Sequence, residues 1–232
     1  MLKARIKFRK FGVMKFIGHL DVMRYFQKAM RRADIPIAFT TGYSPHMIMS
    51  FAQPLGIGVT SDAEYFDIEL TEPIASKHAV AQLNAAMVEG MEIVSFVQIS
   101  DDKKSSGMTI VAGADYLATP KEGEFPADMT KQAESFMAQE QIVVMKKTKR
   151  SEKEVDIKPM IYDFHYEERG MFLKLATGSE QNLKPELVME TFLKFMGIDP
   201  ETFPIHYHRL EVYAKDKKGF VSLEALGTEI YE

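Results

Sequence analysis

Cysteine is absent from the 232 residues, so no disulfide framework, thiolate nucleophile, cysteine zinc site or cysteine-held iron–sulfur cluster can be built within this chain. Missing too is any apolar run approaching the roughly 18 residues that cross a bilayer. The opening Met1-Leu2-Lys3-Ala4-Arg5 leads into alternating charge rather than an apolar signal core, and the expectation is a cytoplasmic chain with no membrane association. There is no Walker A loop, no G-x-G-x-x-G, no G-x-S-x-G and no H-E-x-x-H, so these nucleotide-binding, hydrolase and zinc-protease signatures do not apply. Acids are scarce at the start. Residues 1–50 hold ten Lys and Arg against Asp21 and Asp34, a local balance of +8, whereas the other 182 residues hold 19 bases and 31 acids, within a total of −4. Such asymmetry marks a local basic surface for an anionic partner, with nucleic acid foremost.

What is present is an ordinary globular composition, 46% hydrophobic and 27% charged, on a length that suits one large or two mid-sized cores. Ala4 to Phe11 is largely apolar at even positions and basic at odd ones, the period of a strand with one wet face. Val22, Phe26, Met30 and Ala33 recur at helical spacing and predict a helix from about Gly18 to Ala33, ended by Asp34-Ile35-Pro36. Thr41 to His46 is turn chemistry, and a short strand is expected at 47–51. Further elements are a strand at 64–70, a helix at 75–87 and a strand at 92–99.

The order β-α-β-β-α-β is that of the split βαβ unit. The elements recur further on: strands near 114–119, 142–147, 160–166, 171–176 and 205–213, with helices at 128–139 and 184–196. The fold class expected is α+β, two tandem ferredoxin-like units with antiparallel sheets. The first spans 1–100 with a basic first helix, 101–113 form a linker, and the second spans 114–232 with a basic hairpin at 146–153.

With the apolar positions of the first helix turned inward, Arg24, Lys28, Arg31 and Arg32 form a stripe on its other side. Four like charges repel one another, and a phosphate backbone would neutralise them with release of counterions. A solvated face neutralised from elsewhere in the chain is the plainer alternative. Lys146, Lys147, Lys149 and Arg150 form a second basic cluster, contacting nucleic acid or merely solvent, with Glu152, Glu154 and Asp156 close behind.

His19 and His46 are the candidate general acid or base for RNA cleavage. His19 and Asp21 equally suit a helix start, as Gly18 does, and Gly42 and Pro45 suit a rigid turn around Tyr43. His206 and His208 alternate on a strand, but without further ligands at fixed spacing no metal is expected there or at His165.

The runs Phe8-Arg9-Lys10-Phe11-Gly12, Lys15-Phe16-Ile17-Gly18-His19-Leu20-Asp21-Val22-Met23-Arg24 and Ala29-Met30-Arg31-Arg32-Ala33 resemble one family. So do Ile35-Pro36-Ile37-Ala38-Phe39, Thr41-Gly42-Tyr43-Ser44-Pro45-His46, Ser50-Phe51, Glu64-Tyr65-Phe66-Asp67, Val155-Asp156-Ile157-Lys158-Pro159 and Asn182-Leu183-Lys184-Pro185. That family is the radical-SAM-linked proteins of domain type DUF2344. The resemblance implies a radical S-adenosylmethionine protein as partner. Its iron–sulfur cluster and S-adenosylmethionine would sit on that partner, because this chain has no cysteine to hold a cluster and is expected to carry no cofactor.

The first unit is more distantly similar, in element order and charge, to ferredoxin-like RNA-processing proteins of the CRISPR repeat-associated type. Three readings follow. The first is a non-catalytic RNA-binding or adaptor subunit that positions substrate for the radical enzyme, with Arg24, Lys28, Arg31 and Arg32 on phosphates and Tyr43 stacked on a base. The others are a metal-independent endoribonuclease using His19 or His46, and a protein-only scaffold for the radical enzyme.

Overall fold

The computed structural model describes residues 2–147, 152–168 and 170–231. In chain order the elements are β1 (Leu2–Lys10), α1 (His19–Arg32), β2 (Met49–Phe51), β3 (Thr60–Leu70), α2 (Ser76–Ala86), β4 (Met91–Ile99), α3 (Gly107–Ile110) and β5 (Val111–Pro120). They continue with α4 (Met129–Met137), the hairpin β6 (Val143–Lys147) and β7 (Glu152–Asp156), β8 (Ile161–Glu167), β9 (Gly170–Ala176), α5 (Pro185–Phe195), β10 (Ile205–Asp216) and β11 (Gly219–Ser222).

This is a mixed α/β architecture on a largely antiparallel nine-stranded sheet. The order is β4-β1-β3-β10-β5-β9-β8, with β2 added on β3 and β11 on β10. The joint at the middle is parallel, where His208 and Arg209 of β10 lie beside Thr60 and Ser61 of β3.

Helix α1 forms because Val22, Phe26, Ala29 and Met30 share one buried face, Asp21 lies in its first turn and Arg31 and Arg32 lie in its last, each charge complementing the helix dipole. It ends where Asp34 turns left-handed at φ +47, just before Pro36. Phe26 meets Phe8 and Phe66 at ring-centroid distances of 4.7 Å each, tying α1 to β1 and β3 in one apolar core. A second core gathers β5, α4, β8, β9, α5 and β10 around Phe136, Phe164 and Phe192. Strand β3 serves both, giving Phe66 and Ile68 to the first core and Ala63 and Tyr65 to the second.

The expected wet face of β1 is not there. Arg5 and Lys7 are buried, because the segment after β11 crosses that side of the sheet and bridges Gln98 to Thr228; Lys10, at an even position, is buried too, with its ammonium donated to the carbonyl of Ile17. Arg5 grips Asp67 with two hydrogen bonds of 2.8 and 2.9 Å. Lys7 reaches Glu211 at 2.8 Å and Glu224 at 2.7 Å, and Arg9 reaches Asp62 and Glu92. Much of the positive excess at the start of the chain is thus neutralised by acids from the remainder.

Residues 101–113, expected as a linker, carry a 3-10 turn, α3 and the first residues of β5. Gly107 is buried, with its N–H donated to Asp67 at 2.7 Å. Strands β7 and β11 lie outside the expected strand ranges, β7 beginning within the hairpin expected at 146–153. They are a five-residue and a four-residue strand, each paired, among the described residues, within its own hairpin.

Candidate nucleic-acid interface and adjoining cavity

With the apolar side of α1 sunk in the core, its opposite side stands in water, and Arg24, Lys28, Arg31 and Arg32 are all exposed. Arg24 has an exposed partner in Asp21 at 3.5 Å, and Arg32 donates to the carbonyl of Ala86 at 3.3 Å. Among the described residues Lys28, Arg31 and Arg32 form no ion pair with an acid. Lys3, Arg5, Lys7 and Arg9 of β1 meet carboxylates from other segments, whereas among the described residues the only acid beside the α1 cations is Asp21 of the same helix.

Tyr43 is fully exposed at the tip of a loop that Gly42 turns at φ +112, a conformation side chains disfavour. His46 closes the base of that loop. Its N–H donates to Thr40 Oγ1 at 3.1 Å, its Nδ1 lies 3.1 Å from the same oxygen, and its carbonyl accepts from the Thr40 N–H. Pro45 precedes it in the exposed loop.

His19 is elsewhere, in the first turn of α1 behind Gly18, whose carbonyl accepts from the N–H groups of Asp21 and Val22. The His19 ring meets Phe51 edge to face at 5.1 Å. The two candidate histidines therefore make separate contacts rather than one acid–base pair. Lys146 and Lys147 are the last residues of β6; their side chains, with Lys149 and Arg150, lie outside the described residues.

His19 and Met23 line a cavity of about 400 Å³ together with residues of β2, the 52–54 turn, Met108 of α3, Gly178 and Ser179. Nothing in the local pattern pointed to it, since its walls come from segments up to 160 residues apart in the chain.

A second cluster sits at the parallel joint of β3 and β10. Asp62 accepts from Arg9 and lies 2.9 Å from His208 Nε2; His208 Nδ1 is 2.8 Å from Thr60 Oγ1, and His206 Nε2 is 3.0 Å from the same hydroxyl. With Nε2–H of a neutral His208 donated to the carboxylate, its Nδ1 accepts from Thr60, whose oxygen in turn accepts from His206. In that neutral state donation runs from His206 through Thr60 and His208 to Asp62. Among the described residues no three His, Asp or Glu side chains are grouped to hold a metal ion.

Burial lowers the pKa of His206, helped by Lys15 and His208. Burial also lowers that of His19, with Lys10 adding to it and Glu64 opposing. Burial alone would raise the pKa of Asp62, but the hydrogen bonds from His208 and Arg9 hold it below the ordinary value. For both histidines the folded chain then binds fewer protons than the unfolded chain once the pH drops below about 6.5, so acidification favours unfolding. The thermal midpoint is expected to fall from pH 7 to pH 5, and to fall less in a His19→Gln/His206→Gln chain. Equal slopes in the two proteins, measured by calorimetry, would contradict this.

Fold and site together define a mixed α/β protein whose first helix turns a largely unpaired cationic face to solvent beside an uncharged, aromatic-walled cavity. The chain belongs to a bacterial family: the model of the uncharacterised proteins conserved in bacteria, DUF2344, matches residues 3–185. No curated protein matches it. Among solved structures it is similar to a chain in a crystal structure of a Cbf5-Nop10-Gar1 complex, at 11% identity and a TM-score of 0.47, covering 92% of this chain and 50% of that one. The chain thus spans about half the length of the one it matches.

Proposed function

We propose that this protein is a non-catalytic RNA-binding subunit whose cations Arg24, Lys28, Arg31 and Arg32 contact phosphates. The observation that carries the reading is their exposure and, among the described residues, their lack of acid partners, Asp21 apart, in a chain that pairs Lys3, Arg5, Lys7 and Arg9 of β1 with acids. Helix cations left in water repel one another, and a polyanion relieves that repulsion while counterions are released. Tyr43, bare at its loop tip, supplies a face for a base to stack upon.

The scaffold beneath is read as two ferredoxin-like units, 1–100 and 114–232. Supporting this, β4-β1-β3-β2 and β10-β5-β9-β8 each follow the order 4-1-3-2 of a split βαβ unit. As an adaptor, the subunit would present RNA to a radical S-adenosylmethionine protein that carries its own iron–sulfur cluster. The partner rests on the family resemblance. For its docking, the exposed apolar side chains of Val13, Phe16 and Leu20 beside the start of α1 are the surface of choice.

Charge reversal of Arg24 and Arg31 to Glu is expected to lower affinity for single-stranded RNA by about tenfold or more near physiological salt. The circular dichroism melt should stay cooperative and within a few degrees of wild type, because both side chains are exposed and only the helix-dipole and Asp21 contacts are lost. Unchanged affinity would refute the phosphate contacts.

A further inference from the structure

Helix α1 has two working sides besides its buried one. Arg24 and Lys28 look into solvent, while His19 and Met23, one turn apart, line the cavity of about 400 Å³. That volume falls within the roughly 300–1,000 Å³ usual for small-molecule clefts. Its lining includes no Lys, Arg, Asp or Glu, so the cavity offers no opposite charge to a phosphate and suits an uncharged group.

The walls are of one kind. Met23, Met49 and Met108 are thioethers, polarisable and able to shift to fit a ring, and Phe51 and His19 stand perpendicular at 81°. Hydrogen-bonding groups stand among them without partners. Among the described residues neither nitrogen of the His19 ring, nor the hydroxyl of Ser50 or Ser179, makes a hydrogen bond, and Gln53 has only a long contact of 3.4 Å to Asn182. An uncharged imidazole offers one donor and one acceptor at a fixed spacing.

On one side the wall is bare backbone. Gly178 has φ +139, and a Cβ there would lie 2.1 Å from the carbonyl oxygen of Val111, so no side chain can fill the space from that position.

We propose that this cavity receives one unstacked nucleobase of a single-stranded RNA whose phosphates lie along Arg24 and Lys28. A flat, neutral heterocycle with donors and acceptors on its edge matches apolar walls, an aromatic pair and an unpaired imidazole. The adjoining cations hold the backbone from which that base projects. Proteins read RNA in this way when bases are splayed from a single strand, whereas a duplex keeps its bases stacked and out of reach. The inference rests on the RNA reading above and adds a base site to its phosphate contacts.

The test compares oligoadenylate and oligouridylate of about a dozen nucleotides with the duplex they form, on wild type, His19→Ala and Met108→Trp. Met108 is 55% exposed at the cavity, so a larger side chain there blocks the space without entering a core. Wild type should favour at least one single strand over the duplex at equal salt. Both variants should lose about tenfold on that strand, keep the wild-type salt slope and bind the duplex as before. If wild type binds RNA and both variants match it on every strand, or lose equally on duplex and single strand, the base site is wrong and the phosphate reading stands. If wild type binds no RNA, both fall.

Discussion

Arg5→Ala is expected to cost about 3–5 kcal/mol of stability, the usual penalty when one partner of a buried ion pair is removed. The guanidinium is 1% exposed and joins β1 to three segments: Asp67 of β3 on two oxygens, the carbonyl of Ser105 ahead of α3 and that of Leu223 after β11. Without it the Asp67 carboxylate keeps, among the described residues, only the Gly107 N–H, and two carbonyls lose their Arg5 donor.

For a chain of this length such a loss lowers the melting midpoint by roughly 10 °C. An Arg5→Met/Asp67→Leu chain should recover part of the loss, because no charge is then stranded, but not all of it, since the N–H of Gly107 and both carbonyls stay unpaired. Additive costs in the double variant would show that the two side chains act independently.

Glu64→Ala strikes the parallel joint. Arg209, 2% exposed, is held by both its Nε (2.9 Å) and Nη2 on the Glu64 carboxylate, with Nη2 also donating to the carbonyl of Gln53. The same carboxylate is the anion whose field opposes the burial of Lys10. Removing it strands one buried cation and worsens the position of another, at a similar cost of about 3–5 kcal/mol. The damage should be local before it is global. β3 and β10 share a backbone register at only two positions, so amide exchange should quicken across that joint more than between β1 and β4, which are paired over eight. Uniform acceleration along the whole sheet would show that the joint is no weaker than its neighbours.

The parts of this structure that sequence periodicity made legible are those whose determinants lie within one turn or one strand. Val22, Phe26 and Met30 announced α1 and, by exclusion, the outward position of Arg24, Lys28, Arg31 and Arg32. The alternation of β1 was legible as a strand and misleading as to exposure. Arg5, Lys7 and Arg9 look like surface residues until acids 53 to 217 positions away are folded onto them. The alternation of His206 and His208, with no metal expected from it, likewise says nothing of what the two rings bond. Their partners, Thr60 and Asp62, lie 146 and 148 positions off and satisfy the rings as hydrogen-bonding groups. The cavity beside His19 is assembled from both halves of the chain, and no local window contains more than a fragment of its wall.

The measurement that bears most directly on the cationic helix is the salt dependence of affinity for total cellular RNA, taken on wild type and on the chain with Arg24 and Arg31 reversed to Glu. With phosphates on α1, log affinity should fall with log salt by roughly 0.7 per contact for single strands, and the reversed chain should give a slope shallower by about two contacts. Binding that is negligible, or indifferent to salt in both proteins, would contradict an RNA-binding role for this helix.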